Sequence, residues 1–269
     1  MKVTIEINDL PYEAKVALAK NERTSPELLA ALATDKEAQI RRLVAWHSST
    51  PSEVLDALAN DGISVVRWAV AENENTFAKT LANLANDTNV NVRSAVGVNK
   101  NTKAETLAML ASDKEEWVRK AVAENGNTSA ELLAVLAQDE NWWVRYDVAV
   151  NENTSVDILA MLAKDEEIGV HIAVAVNKNT SVETLVMLAS DEDHRVREAV
   201  ARNENAPANI LATLAQDKNA YIRNEVAKNP NTPYKTLVML SHDTEFWVEK
   251  NAKKLLREHK KKEKNSIER

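Results

Sequence analysis

At 269 residues, with 44% hydrophobic side chains and a formal charge of −7, the chain can bury one large core or two ordinary ones. It holds no run near the roughly 20 apolar residues that a membrane span requires. It has no cysteine, which excludes disulfides, thiolate nucleophiles and cysteine-ligated zinc or iron–sulfur sites, and fits a cytoplasmic protein. Only 4 Gly and 6 Pro, against an excess of alanine, leucine and charged residues, exclude a turn-rich β protein and point to an all-α chain.

The opening residues, Met1 to Ile7, have neither the apolar stretch nor the small-residue cleavage site of a secretory leader, so none is expected. In residues 8–20, Asp9, Lys15, Leu18 and Ala19 sit one step of 26 before equivalent positions downstream. Residues 1–20 therefore read as a cap containing half a repeat. From Asn21 to Lys254 the 26-residue period runs without an insertion. Threonine recurs at Thr24, Thr50, Thr76, Thr102, Thr128, Thr154, Thr180 and Thr232, with Ala206 the exception. Aspartate recurs without a miss from Asp35 to Asp243, and leucine does so from Leu29 to Leu237 and from Leu32 to Leu240. The span 21–254 holds nine such units.

The unit from Asn125 to Val150 shows how each one is built. Thr128 and Glu131 have capping-box spacing, which predicts Thr128 as the start of a first helix. Leu132, Leu133 and Leu136 give that helix one apolar stripe. Asp139 opens a turn into a second helix, where Val144 and Val148 share a face. Asn151 is expected to end it in the left-handed conformation that asparagine tolerates. The glycosylation sequons at Asn127, Asn153 and Asn179 read better as helix starts. Helices of two to three turns are marginal alone. About four buried aliphatics per unit, at roughly 1.5–3 kcal/mol each, make stacking the main source of stability.

The last unit departs from the pattern, with Glu249 for arginine and Lys253 for alanine. Residues 255–269 read as a basic helical tail. From Lys250 onward there are 9 Lys+Arg and 3 Asp+Glu, which leaves −13 on residues 1–249. An acidic body argues against nucleic acid as a partner, and the tail reads as solvated.

The leucine-rich first helix, the Asp, the Val-Arg pair and the following Val-Ala-x-Asn-x-Asn-Thr resemble the leucine-rich repeat variant family, over residues 8–254. The six-residue interval from Asp139 to Arg145 is also similar to HEAT repeats. This resemblance implies a right-handed, HEAT-like α-solenoid: nine 26-residue two-helix repeats between an N-terminal half-repeat and a C-terminal capping helix. For the HEAT pattern it implies an aspartate–arginine ladder between units. Some variant-repeat proteins carry an iron–sulfur cluster on an N-terminal cysteine segment, which a cysteine-free chain lacks the ligands for.

No catalytic motif, metal-ligand spacing or phosphate-binding loop stands out, so the expectation is a non-enzyme with no cofactor, no metal and no catalytic residue. The arginine column (Arg41, Arg67, Arg93, Arg119, Arg145, Arg197, Arg223, with His171 once) could grip phosphates, but reads as one-for-one pairing with the aspartates. The asparagine columns read as side chain–backbone ladders. The four outward methionines, Met109, Met161, Met187 and Met239, read as packing between first helices. The second helices carry a third kind of column, facing away from the buried valines and varying from unit to unit. Trp46, Trp68, Trp117, Trp143 and Tyr146 fall there, with Val150 and Ile172 beside them and Trp142 one residue off. Those eight are the candidate partner-binding residues, because aromatics give large contact area at low entropic cost. The competing reading makes them the wall between units. The functional expectation is a scaffold for a protein or peptide, its oligomeric state open. The alternatives are a nucleic-acid-binding solenoid or a HEAT-like lyase or glycosylase-type enzyme.

Overall fold

The computed structural model describes residues 7–267; the first six residues of the expected N-terminal cap and the last two of the tail lie outside it. Among the described residues every regular element is helical. By internal contacts the chain falls into two compact units, Met1–Leu136 and Ala137–Arg269.

The first unit opens with a short 3₁₀ turn, Ile7–Asp9, and then alternates 9-residue and 7-residue helices. The longer ones are α1 (Tyr12–Lys20), α3 (Ala38–Trp46), α5 (Ser64–Glu72), α7 (Val90–Val98) and α9 (Glu116–Glu124). The shorter ones are α2 (Pro26–Leu32), α4 (Ser52–Leu58), α6 (Ala78–Leu84), α8 (Ala104–Leu110) and α10 (Ala130–Leu136). Each helix starts 26 residues after its counterpart, and α1 stands where a second helix belongs. Each longer helix packs on the next. Leu29, Leu32, Ile40, Val44, Leu55 and Val66 have no exposed surface, and the equivalent positions of later repeats are buried likewise.

The second unit continues the pattern with α11 (Trp142–Val150), α12 (Val156–Leu162), α13 (Ile168–Val176), α14 (Val182–Leu188), α15 (His194–Arg202), α16 (Ala208–Leu214), α17 (Ala220–Lys228) and α18 (Tyr234–Leu240). The final helix, α19 (Phe246–Ile267), runs 22 residues because no asparagine or threonine stops it where the earlier second helices end. Its first turns bury Val248 and Ala252, and basic residues dominate the remaining sequence.

Two local expectations are corrected. The threonines do not cap first helices. Each lies in the loop one residue too early, and its hydroxyl donates backwards to a carbonyl six residues before, as in Thr76 to Val70 (2.6 Å) and Thr232 to Val226 (2.6 Å). It thereby satisfies one of the carbonyls that the end of a helix leaves open. The N-cap is the following residue. Ser25, Ser155 and Ser181 accept from the N–H groups of Leu28, Ile158 and Thr184 at 3.2–3.4 Å. Nor do the asparagines close helices in the left-handed region, since no described non-glycine residue has positive φ. Asn99 is extended, at φ −67° and ψ 125°. Its side chain stops the helix by bonding elsewhere: Nδ2 donates to Ala71 O (2.7 Å) and Asn73 O (3.1 Å) of the preceding repeat, while Oδ1 accepts from the Asn101 N–H. Asn101 adds Nδ2 to Thr76 O and Glu74 O. The asparagine columns are thus ladders between turns, as expected.

Candidate functional site

The charged columns are consumed by the frame. In the first unit Arg67 donates Nε and Nη2 to Asp87 of the next repeat (2.6 and 2.9 Å) and Nη1 to the carbonyl of its own Asp61 (2.7 Å). Arg41–Asp61 and Arg93–Asp113 repeat this geometry, and Lys15–Asp35 starts the series. In the second unit the rungs are Arg145–Asp165, His171–Asp191, Arg197–Asp217 and Arg223–Asp243. Each aspartate also accepts the N–H two residues on, which turns the chain into the second helix.

The pairing shifts the carboxylates below their ordinary value. For Asp61, Asp87 and Asp243 the arginine hydrogen bond is the largest influence and outweighs burial. For Asp113, Asp165 and Asp217 burial pushes up hardest, but the arginine, a backbone N–H and nearby positive charge together overcome it. Among the described residues, no three or more His, Cys, Asp or Glu gather to hold a metal ion, and no helix is long and apolar enough to cross a membrane.

What remains on the second helices is the outward, variable surface. Here the eight candidates separate. Trp46, Trp117, Trp143 and Val150 are 50%, 56%, 45% and 50% exposed, whereas Trp68, Trp142, Tyr146 and Ile172 are half-buried. In the first unit Trp46 meets Trp68 edge-to-face at 5.3 Å between ring centroids, and the Arg42 guanidinium lies over Trp46 at 5.5 Å. Trp117 projects from α9. In the second unit Trp142 and Trp143 stack at 3.9 Å, and Tyr146 meets Trp143 edge-to-face at 6.0 Å. Trp142 leaves its column because it leans on α13. A Cβ at Gly169 would come within 3.2 Å of its ring, so the glycine makes its seat. Tyr221 and Trp247, 6.4 Å apart, form a further stacked pair. The four methionines stand 41–44% exposed on the first helices.

One feature of this surface has no counterpart in the candidate residues read from the sequence beyond Trp68. A groove of about 470 Å³, open to solvent, runs between α5 and α7, with Trp68 and Glu72 on one bank and Ser94 and Val98 on the other. Its signal in the sequence is that Ser94 is the smallest residue of its column, where neighbouring repeats place Trp68 and Lys120.

The helix pairs define the class: an α-helical repeat protein of the solenoid kind. Residues 194–219, one repeat long, match the family described as leucine rich repeat variant. The chain is also similar to a solved structure described as a leucine-rich repeat variant with a novel repetitive protein structural motif: 26% identity over 80% of this chain and 86% of that one, TM-score 0.60. The resemblance to the leucine-rich repeat variant family therefore holds, in sequence over one unit and in backbone over most of the chain. Two weaker similarities, to an engineered protein and to the YibA protein of Escherichia coli, each have 16% identity and a TM-score of 0.43. They cover 91% and 96% of this chain, and 94% and 99% of the others. No curated protein sequence matches the chain.

Proposed function

We propose that the chain is a non-enzymatic protein–protein interaction scaffold that binds a peptide or protein along the outward face of its second helices. The observation carrying this reading is the division of labour among the columns. The arginines of the described rungs are spent on aspartates, while exposed aromatic and aliphatic side chains collect where the repeats vary. Trp143 and Val150, exposed beside the half-buried Trp142, Tyr146 and Ile172, offer an apolar centre with a preorganised floor. Trp46, Trp68 and Trp117 extend the same kind of surface in the first unit. A phosphate-gripping role would need free guanidinium groups, and the rungs leave few.

Purified partner, captured from the native host by the wild-type chain, provides the test. Trp143→Ala is expected to weaken its binding by about tenfold, near 1.4 kcal/mol, with melting temperature unchanged. Unaltered affinity, or a large fall in melting temperature with binding intact, would return the ring to a purely structural role.

A further inference from the structure

The groove between α5 and α7 combines an aromatic wall, an acid with no partner among the described residues and room for a side chain. Ser64, Trp68 and Glu72 lie four residues apart along α5 and so share one stripe, and all three line the groove. Asn91, Ser94 and Val98 answer them from α7. The volume, about 470 Å³, lies within the span of pockets that take small ligands, about 300–1,000 Å³.

Two observations identify the chemistry of the occupant. First, among the described residues nothing pairs with Glu72. The nearby Glu74, by contrast, is bound to Lys100 at 2.6 Å. Glu72 is exposed at the end of α5, and the desolvation it meets there pushes its carboxyl above its ordinary value. Second, the adjacent repeat already shows what this surface does with a tryptophan: Arg42 lies over the Trp46 ring. Trp68 touches Trp46 on its α3 side and has no such internal cation on its α7 side, where the groove lies. A planar cation with an aliphatic stem would fill this vacancy.

We propose that this groove docks an arginine side chain of a protein partner. The guanidinium lies against Trp68 and bonds the Glu72 carboxylate, and its aliphatic stem rests on Val98. Arginine fits better than lysine because a flat, forked donor can stack and bond at once. The acidic balance of the chain, −7, favours a basic partner segment. This inference rests on the scaffold reading and names the chemistry that one part of the scaffold recognises.

The experiment titrates the full chain with acetyl-arginine amide while following the tryptophan indole N–H signals, the Trp68 signal being assigned by its loss in Trp68→Phe. A saturable shift at Trp68 is expected, about fivefold weaker in Glu72→Gln and absent in Ser94→Arg, which fills the groove from within. Glu74→Gln, altering the paired acid, should leave it unchanged. Acetyl-leucine amide should produce no saturable shift, and acetyl-lysine amide a weaker one. The proposal is overturned if Trp68 does not respond, if Glu72→Gln responds as the wild type does, or if the leucine or lysine probe matches arginine. These failures leave the scaffold reading standing, because it is tested separately, by the response of the captured partner's binding to Trp143→Ala.

Discussion

In the first unit each rung from Arg41–Asp61 to Arg93–Asp113 is an arginine fork, making two bonds to the next aspartate and a third to a carbonyl of its own repeat. In the second unit one rung is His171–Asp191 instead. Its Nδ1 lies 2.9 Å from the carboxylate and its Nε2 is buried with no partner. The glycines differ as well. Gly97 lets α7 approach α9 so closely that a Cβ would lie 2.8 Å from that of Ala121, whereas Gly169 makes room for a tryptophan. Outward, the first unit leaves a groove beside Trp68, while the second stacks Trp142 on Trp143. A fixed backbone frame thus tolerates different rungs and different surfaces, because each repeat needs only to satisfy its neighbours.

Acid should produce the largest effect, since it protonates several rung carboxylates together. The folded values of Asp61, Asp87, Asp113, Asp165, Asp217 and Asp243 lie below the ordinary 3.8. Their stabilisation is therefore complete above that value and is lost as pH falls through the lower, folded ones. Helicity and melting temperature should hold steady down to about pH 4 and then collapse. Hydrogen exchange should show both units failing in the same window. Failure of one unit well before the other would break the idea of a shared frame.

Next in size is Arg93→Ala, which leaves the half-buried Asp113 without its fork. It should cost about 3 kcal/mol in denaturant unfolding. A loss below about 1 kcal/mol would mean that the rungs behave like exposed surface pairs. Gly97→Ala should follow at about 1 kcal/mol, the clash with Ala121 outweighing the gain in helix propensity, and adding Ala121→Gly should restore much of it. If Gly97→Ala alone stabilises the protein, α7 and α9 are not held at that separation. The smallest effect concerns the exceptional rung. His171→Arg should gain about 0.5–1.5 kcal/mol by completing the fork to Asp191 and removing the orphaned Nε2. A neutral or destabilising result would show that the histidine rung is fitted to its surroundings.

The period, the helix pairs and the aspartate–arginine ladder were all legible in the sequence, because one pattern repeated without an insertion exposes every constrained column. Threonine and asparagine were legible as constrained but not in their roles. A threonine three residues before a glutamate fits a capping box as well as it fits a hydroxyl reaching back to Val70. Which bond forms depends on where the loop places that hydroxyl relative to the preceding helix. The same limit applies to the outward columns. Periodicity put Trp46, Trp68, Trp117, Trp143 and Tyr146 on one face of their helices, but exposure depends on the neighbour. Trp68 is half-buried against Trp46, Trp142 is seated on Gly169, and the groove exists because a serine follows a tryptophan across two helices. The sequence by itself determined the frame, since each frame contact recurs at a fixed spacing. Tertiary structure alone decided the surface, since each surface contact joins residues that do not recur.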